Sequence, residues 1–337
     1  MNSWSFTNLW NRSLETRAPR PVEKRDYLWA SEFGNSLIDV YLKLNGEPYT
    51  NPPNPRSIRK FEACNFWEAI TKHILQRAGV LKDSQRHVIH QYPGLMKVTG
   101  RLDFVAGGKL DYEKALHYAK TETLWMPEGF QAGVLAIVEG LHAQFGESEL
   151  KEIVLEVKSC SAYMMDAYEA RGKGTLAHSL QAYHYLKGTG LDEAHVVYVC
   201  KDDCRMLEVP VYAGQLEDEY KGWITAISGY YNSKTEPPKE NLIVFSEDTG
   251  KVSSNYKVEY SQYLTKLYGY QEPIMYRDEI KSRVSSFQRV IKRYANGDTI
   301  TEKNEEVMDD LRNYLTQEQI DRAISLATKV SDEEETL

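Results

Sequence analysis

The chain predicts an α/β fold: a mixed central sheet flanked by helices, followed by further helices. Three observations carry that expectation. Residues 151 to 160, KEIVLEVKSC, are a short apolar run of the kind that a strand buried on both faces requires. Two more apolar runs, Ala194 to Cys200 and Arg205 to Val211, bracket the polar turn Lys201-Asp202-Asp203 as a strand pair. Between these strands lies a segment with helical periodicity, Thr175 to Leu186, stopped by Gly188-Thr189-Gly190.

Composition narrows the function classes. The 337 residues are 42% hydrophobic and 27% charged, ordinary values for a globular protein, and include 23 tyrosines. Lys and Arg total 41 against 49 Asp and Glu, a net charge of -8, so bulk charge does not advertise a nucleic-acid partner. Four of the acids sit in Asp332-Glu333-Glu334-Glu335, while basic residues gather at Arg12 to Arg25, at Arg56, Arg59 and Lys60, and at Lys281 to Arg293. Four cysteines are too few for a disulfide scaffold in a chain of this length. No secretory signal precedes residue 30, and no run reaches the ~18 apolar residues of a membrane span, so no membrane partner and a reducing cytoplasmic setting are expected.

In chain order, residues 1–30 read as an arm packed on the domain, with Trp4, Trp10, Trp29 and the break Ala18-Pro19-Arg20-Pro21; Glu15 and Glu23 argue against a mitochondrial presequence. A core over 31–215 follows. Ser31 is the expected N-cap of a helix whose stripe is Leu37, Val40, Tyr41 and Leu44 and whose stop is Asn45-Gly46. After a loop from Pro48 to Pro55 and the cluster Arg56, Arg59, Lys60, a helix from Phe61 to Ala78 is expected to bury Trp67, Ile70, Ile74 and Ala78, with Glu68 beside that stripe. Gln85 to Tyr92 and Val98 to Ala106 read as strands joined at Pro93-Gly94, with His87 and His90 as ordinary strand residues. An insertion, 109–149, holds two helices, Tyr112 to Leu124 and Glu128 to Phe145. Arg171-Gly172-Lys173-Gly174 lacks the full pattern of a nucleotide-binding loop. Residues 216–325 form a helical accessory region, and 326–337 an acidic tail expected to lack fixed structure.

The ionisable residues inside the strands carry the chemistry. Alternation places Glu156 and Lys158 on one face with Val157 on the other. A rim ion pair would give the same pattern. In the strand ending at Ala106, Thr99, Arg101, Asp103 and Val105 share a face opposite Val98, Gly100, Leu102 and Phe104, so Asp103 is a carboxylate in a hydrophobic strand. An unpaired buried carboxylate is expensive, and a divalent cation held by Asp103 and Glu156 would answer that cost; Mg²⁺ favours one or two carboxylates with waters and phosphate oxygens. Half-burial is expected to lower the Lys158 amine pKa. Gln181 and Tyr185 lie one turn apart on one helical face.

Taken in order, GRLDFVAGG at 100 to 108, E-x-K at Glu156 to Lys158, and Q-x-x-x-Y at Gln181 to Tyr185 resemble the PD-(D/E)xK nuclease superfamily in its RecB-type, phage-exonuclease branch. The resemblance implies a restriction-endonuclease-like core and a Mg²⁺- or Mn²⁺-dependent deoxyribonuclease. It implies an exonuclease acting on the ends of linear DNA, in recombination, repair or phage DNA metabolism, in a bacterial or phage-infected cell. Glu68, Asp103, Glu156 and the Val157 carbonyl are then the expected ligands of one or two ions. Lys158 orients the attacking water or stabilises the phosphate, and Gln181 and Tyr185 brace the lysine or touch the phosphate. Ser31, Arg56, Arg59, Lys60, Thr99, Arg101 and Ser159 are the expected DNA contacts. A recombination or single-strand-annealing protein and a second copy of the chain are the protein partners it admits. Some members carry an iron–sulfur cluster, but Cys64, Cys160, Cys200 and Cys204 depart from its spacing, so no cluster and mostly buried free thiols are expected. The alternatives are a restriction-type endonuclease and a non-catalytic DNA-binding subunit with the same fold.

Overall fold

The computed structural model describes Ser5 and residues 21–124, 127–247 and 249–334. The tryptophans expected to anchor the arm at positions 4 and 10, and its Ala18 to Arg20 break, lie outside the described residues. In chain order the elements are β1 (Tyr27–Trp29), α1 (Leu37–Leu44), α2 (Pro55–Ala78), β2 (Leu81–Ser84), β3 (His87–His90), β4 (Lys97–Arg101), β5 (Phe104–Lys109) and α3 (Tyr112–His117). After them come α4 (Glu128–Phe145), β6 (Glu149–Cys160), α5 (Ala162–Arg171), α6 (Leu176–Thr189), β7 (Glu193–Cys200), β8 (Met206–Tyr212) and α7 (Glu217–Ser233). The remainder is β9 (Ile243–Phe245), β10 (Val252–Ser254), α8 (Tyr256–Glu259), α9 (Leu264–Tyr268), α10 (Pro273–Ala295), α11 (Glu302–Arg312) and α12 (Gln317–Glu334).

Contacts divide the chain into one unit of residues 1–34 with 53–235, and another of 35–52 with 236–337. In the first unit the expected mixed sheet is present, in the order β2-β5-β6-β7-β8. Within that sheet β6 and β7 run parallel, joined by a crossover through α5 and α6, and its other pairs are antiparallel. A second, three-stranded sheet has the order β1-β4-β3.

That second sheet corrects one expectation. The single strand from Val98 to Ala106 is two strands in different sheets, broken at Leu102 and Asp103. Its hairpin partner breaks alongside it: Gln85 adopts a positive φ of 58°, its N–H donates to the Asp103 carbonyl, and Leu102 N–H donates to the Arg86 carbonyl. The strand β2 at Leu81–Ser84 was not expected, because Lys82, Asp83 and Ser84 carry no apolar alternation.

Helix α2 covers one face of the five-stranded sheet. Trp67 and Leu75 pack there on Leu81, Phe104, Ala106, Leu155, Val197 and Val199. The helix begins at Pro55 rather than Phe61, capped by Asn54, whose side chain accepts from Ser57 N at 2.9 Å; Arg56, Arg59 and Lys60 therefore ride on its first turns. Ile70 and Ile74, expected in its stripe, are 46% and 43% exposed, since the buried face is turned toward Trp67 and Leu75. Helix α6 is buried along Leu180 to Leu186 and packs on β7 and β6. In the insertion, α3, a π-helical segment Tyr118–Glu122 and α4 share a small core of Ala115, Ala119, Val134 and Val138.

The expected helix from Ser31 is a short 3-10 turn, Ala30–Glu32, and α1 starts only after Ser36. Gly34 stops the chain between them: its φ is +74°, and a Cβ there would stand 2.6 Å from that of Ala177. Segment 35–52 groups with the C-terminal residues, and α7 with the first unit, so the division by contacts does not follow the boundary at 215/216 read from the sequence. In the second unit Ser261 Oγ donates to the buried Asp39 carboxylate at 2.9 Å, and Tyr263 OH to the Glu47 carbonyl at 2.8 Å. Helices α10, α11 and α12 bury Tyr276, Phe287, Met308, Leu311, Ile320 and Ala323 together. Anchored by Ile320 and Ala323, α12 runs on to Glu334, so the acidic tail is helical that far. Among the described residues no helix is long and apolar enough to cross a membrane. Cys160 and Cys200 are buried and Cys64 and Cys204 exposed, so burial claims only half of the thiols.

Candidate active site

The pairing of β5 with β6 ends at Phe104 opposite Leu155, and one further step sets Asp103 opposite Glu156. There the Asp103 side chain takes over from the ladder: Oδ2 accepts from Val157 N at 2.8 Å. From the same stretch Lys158 Nζ reaches Glu156 Oε1 at 2.5 Å, so the two share a face as alternation requires. Glu156 is 1% exposed, and its Oε2 is buried without a hydrogen-bond donor. The Asp103 carboxyl lies within hydrogen-bonding reach of the Glu156 carboxyl.

The charges follow from this crowding. Burial, and then the charge of Glu156, push the Asp103 carboxyl up to about 7. Burial also raises Glu156, against the pull of Lys158. Desolvation works against the Lys158 ammonium, but Glu156, Asp103 and Glu68 outweigh it and hold its pKa above the ordinary value. The direction is thus the reverse of the expected lowering: the surrounding carboxylates favour the Lys158 ammonium. Two facing carboxylates balanced by one ammonium leave room for one more positive charge, either a proton on Asp103 or a cation.

Of the other expected residues, Glu68 on α2 is half-buried and its carboxyl is raised, by desolvation first and then by Asp103. Its Oε1 accepts from Gln85 Nε2, a partner at the hairpin kink that no sequence signal marked. Gln181 Nε2 donates to Tyr185 OH at 3.0 Å, and Tyr185 OH donates to the Arg101 carbonyl at 3.0 Å. Among the described residues neither bonds to Lys158; both brace the strand that leads into Asp103. Gly100 makes that contact feasible, because a Cβ there would lie 2.8 Å from the Tyr185 ring.

The expected DNA contacts scatter. Arg56 and Lys60 are exposed and Arg59 half-buried on the first turns of α2, and Arg101 is exposed next to the site. Ser31 is exposed on its short turn, while Ser159 Oγ lies 3.0 Å from Cys64 Sγ. Thr99 is 4% exposed on the central strand of its sheet, on the face it shares with its register partner Ile89 and with Arg101, and its hydroxyl lies 2.5 Å from His87 Nε2.

Two residues went unread in the sequence. His178 stands one turn before Gln181, and its Nδ1 is 3.0 Å from Tyr198 OH. Tyr198 is paired in parallel register with Lys158. Burial first, and then the Lys158 ammonium, drive the His178 imidazole to about 3. The i, i+3, i+7 spacing of His178, Gln181 and Tyr185 was the available signal.

Asp103, Glu156 and the Val157 carbonyl suit a hard divalent cation: the donors are oxygens and one buried carboxylate oxygen lacks a partner. Among the described residues no group of three His, Cys, Asp or Glu side chains is gathered as a ready ligand cluster, so water or phosphate oxygens would complete the shell.

No family model matches the sequence. No curated protein matches it. Among solved structures, the crystal structure of SSO0001 aligns over 79% of this chain and 98% of its own, at 10% identity and a TM-score of 0.41, a likeness too low to carry an argument.

Proposed function

We propose that the chain is a metal-dependent deoxyribonuclease of the PD-(D/E)xK type that hydrolyses phosphodiester bonds, with Mg²⁺ or Mn²⁺, from the ends of linear DNA. One observation carries the reading: Asp103 and Glu156 face each other at the end of β5, with the Lys158 ammonium on Glu156 and one carboxylate oxygen unpartnered. The preference for ends, and a role in recombination, repair or phage DNA metabolism in the cytoplasm, rest on the order of the three motifs.

Hydrolysis forms a bond from a water oxygen to phosphorus, breaks the P–O ester bond, and moves one proton from the water to the leaving oxygen. When bound, the cation supplies positive charge opposite the phosphate oxygens and lowers the pKa of a water. Asp103, Glu156 and the Val157 carbonyl would hold it. Lys158, protonated, pulls against the burial that raises Glu156 and has further N–H groups to offer a phosphate oxygen; it is a donor rather than the base. Gln181 and Tyr185 keep the Arg101 to Asp103 segment in place, and Arg56, Lys60 and Arg101 offer charge to the backbone.

The test incubates end-labelled linear and closed circular DNA with Mg²⁺, Mn²⁺ or EDTA, for wild type and Lys158→Ala. Loss of linear DNA alone, abolished by chelation and by the substitution, supports the proposal. Equal loss of circular DNA would make the chain an endonuclease, and loss of neither a non-catalytic subunit.

A further inference from the structure

Tyr198 OH accepts a hydrogen bond from Thr175 N at 3.2 Å. Its hydroxyl also lies 3.0 Å from His178 Nδ1, which takes the phenolic proton in the Nε2–H tautomer. Thr175 Oγ1 in turn accepts from His178 N at 3.3 Å, which closes a ring of three hydrogen bonds around the helix start. A neutral imidazole whose Nδ1 accepts carries its proton on Nε2. The His178 ring rests on that of Tyr198 with centroids 5.6 Å apart, and Tyr198 is the register neighbour of Lys158 on the same sheet face. Gly174 protects the arrangement, since a Cβ there would come within 1.9 Å of the Tyr198 hydroxyl.

We infer that His178 is a substrate-binding residue, donating from Nε2–H to a backbone phosphate of the DNA beside Lys158. The inference rests on the nuclease reading above. It adds a neutral donor to a site whose other positive groups are full charges. The lowered basicity of the ring agrees with it, because burial leaves the imidazole uncharged at neutral pH.

The experiment compares wild type, Lys158→Ala, His178→Ala, His178→Gln and Tyr198→Phe. Cleavage of end-labelled linear DNA with Mg²⁺ is read as separate kcat and KM, with thermal midpoints as the folding control. His178→Ala should raise KM about tenfold, the worth of one hydrogen bond, with kcat held within about threefold. His178→Gln, whose amide N–H can stand where Nε2–H stood, should recover to within about threefold of wild type, and Tyr198→Phe should fall between them. Long-range ¹H–¹⁵N spectra at neutral pH should show the Nε2–H tautomer, a readout that needs no activity. Unchanged KM in His178→Ala while Lys158→Ala is inactive would overturn the inference alone, as would an Nδ1–H tautomer or a Gln variant no better than Ala. A wild type that cleaves no DNA would overturn the nuclease reading and this inference with it.

Discussion

Gly100 and Tyr185 occupy one another's space: a Cβ at position 100 would stand 2.8 Å from Tyr185 Cε1 and 3.2 Å from its hydroxyl, with Ala30 Cβ 2.9 Å away on another side. The tyrosine can therefore lie flat enough on β4 to reach the Arg101 carbonyl. Gly100→Ala should cost about 1–3 kcal/mol by overpacking, measured by urea unfolding, and should lower DNA hydrolysis by displacing Asp103. In a Tyr185→Ala background the same substitution should cost at least about 1 kcal/mol less. Additive costs would disprove the contact's importance.

Asp103 makes stability depend on pH in a chelated sample. Its carboxyl protonates at about 7 in the folded chain and at the ordinary 3.8 when unfolded. Between those values the folded state holds a proton that the unfolded state has released, so the contribution is complete below about pH 4 and is lost as pH rises through 7. The thermal midpoint in EDTA should fall from pH 5 to pH 8, and fall less in Asp103→Asn. Excess Mg²⁺ at pH 8 should raise the wild-type midpoint and leave Asp103→Asn nearly unmoved. Identical pH slopes for the two proteins would contradict the assignment.

Removing the ammonium should strand a buried charge. Lys158→Met leaves Glu156, 1% exposed, without its ion-pair partner, at a cost of about 3–5 kcal/mol in denaturant unfolding without metal. The double variant with Glu156→Gln should recover part of that loss. Mg²⁺ should stabilise Lys158→Met more than wild type, since the cation stands in for the missing charge.

Glu217 ties together three side chains of the first unit: Tyr92 OH donates to it at 2.5 Å, Tyr183 OH at 2.6 Å, and Lys187 pairs with it at 3.0 Å. Partial burial opposes its ionisation, but these donors prevail and hold the carboxyl down at about 2. The stabilisation is present above the ordinary 4.5 and lost as pH falls toward 2. Glu217→Gln should cost about 1 kcal/mol at neutral pH, a modest figure because the side chain is a third exposed, and the difference should vanish near pH 2. A gap that persists into acid would point to packing rather than charge.

The mixed sheet was legible in the sequence because its strands are apolar runs bounded by turns, and Asp103, Glu156 and Lys158 stood out because ionisable residues there demand partners. In the structure the Asp103 carboxylate accepts from Val157 N and Lys158 pairs with Glu156. Less was readable where the outcome depended on distant neighbours. Thr99 shares Asp103's parity yet belongs to a different sheet, because the chain breaks at Leu102 and Asp103. Ile70 and Ile74 fit a helical stripe yet lie exposed, because the sheet beneath α2 meets Trp67 and Leu75 instead.

By itself the sequence determined the α/β class, the identity of the strands that carry charge, and the shared faces of Glu156 with Lys158 and of Gln181 with Tyr185, since these follow from the two- and 3.6-residue repeats of a single element. The tertiary structure alone decided that Asp103 stands just ahead of β5 opposite Glu156, that Tyr185 braces Arg101 rather than Lys158, and that His178 stands beside Tyr198. Those outcomes depend on where one element stops and which backbone groups it leaves for another to satisfy, and no local repeat encodes that.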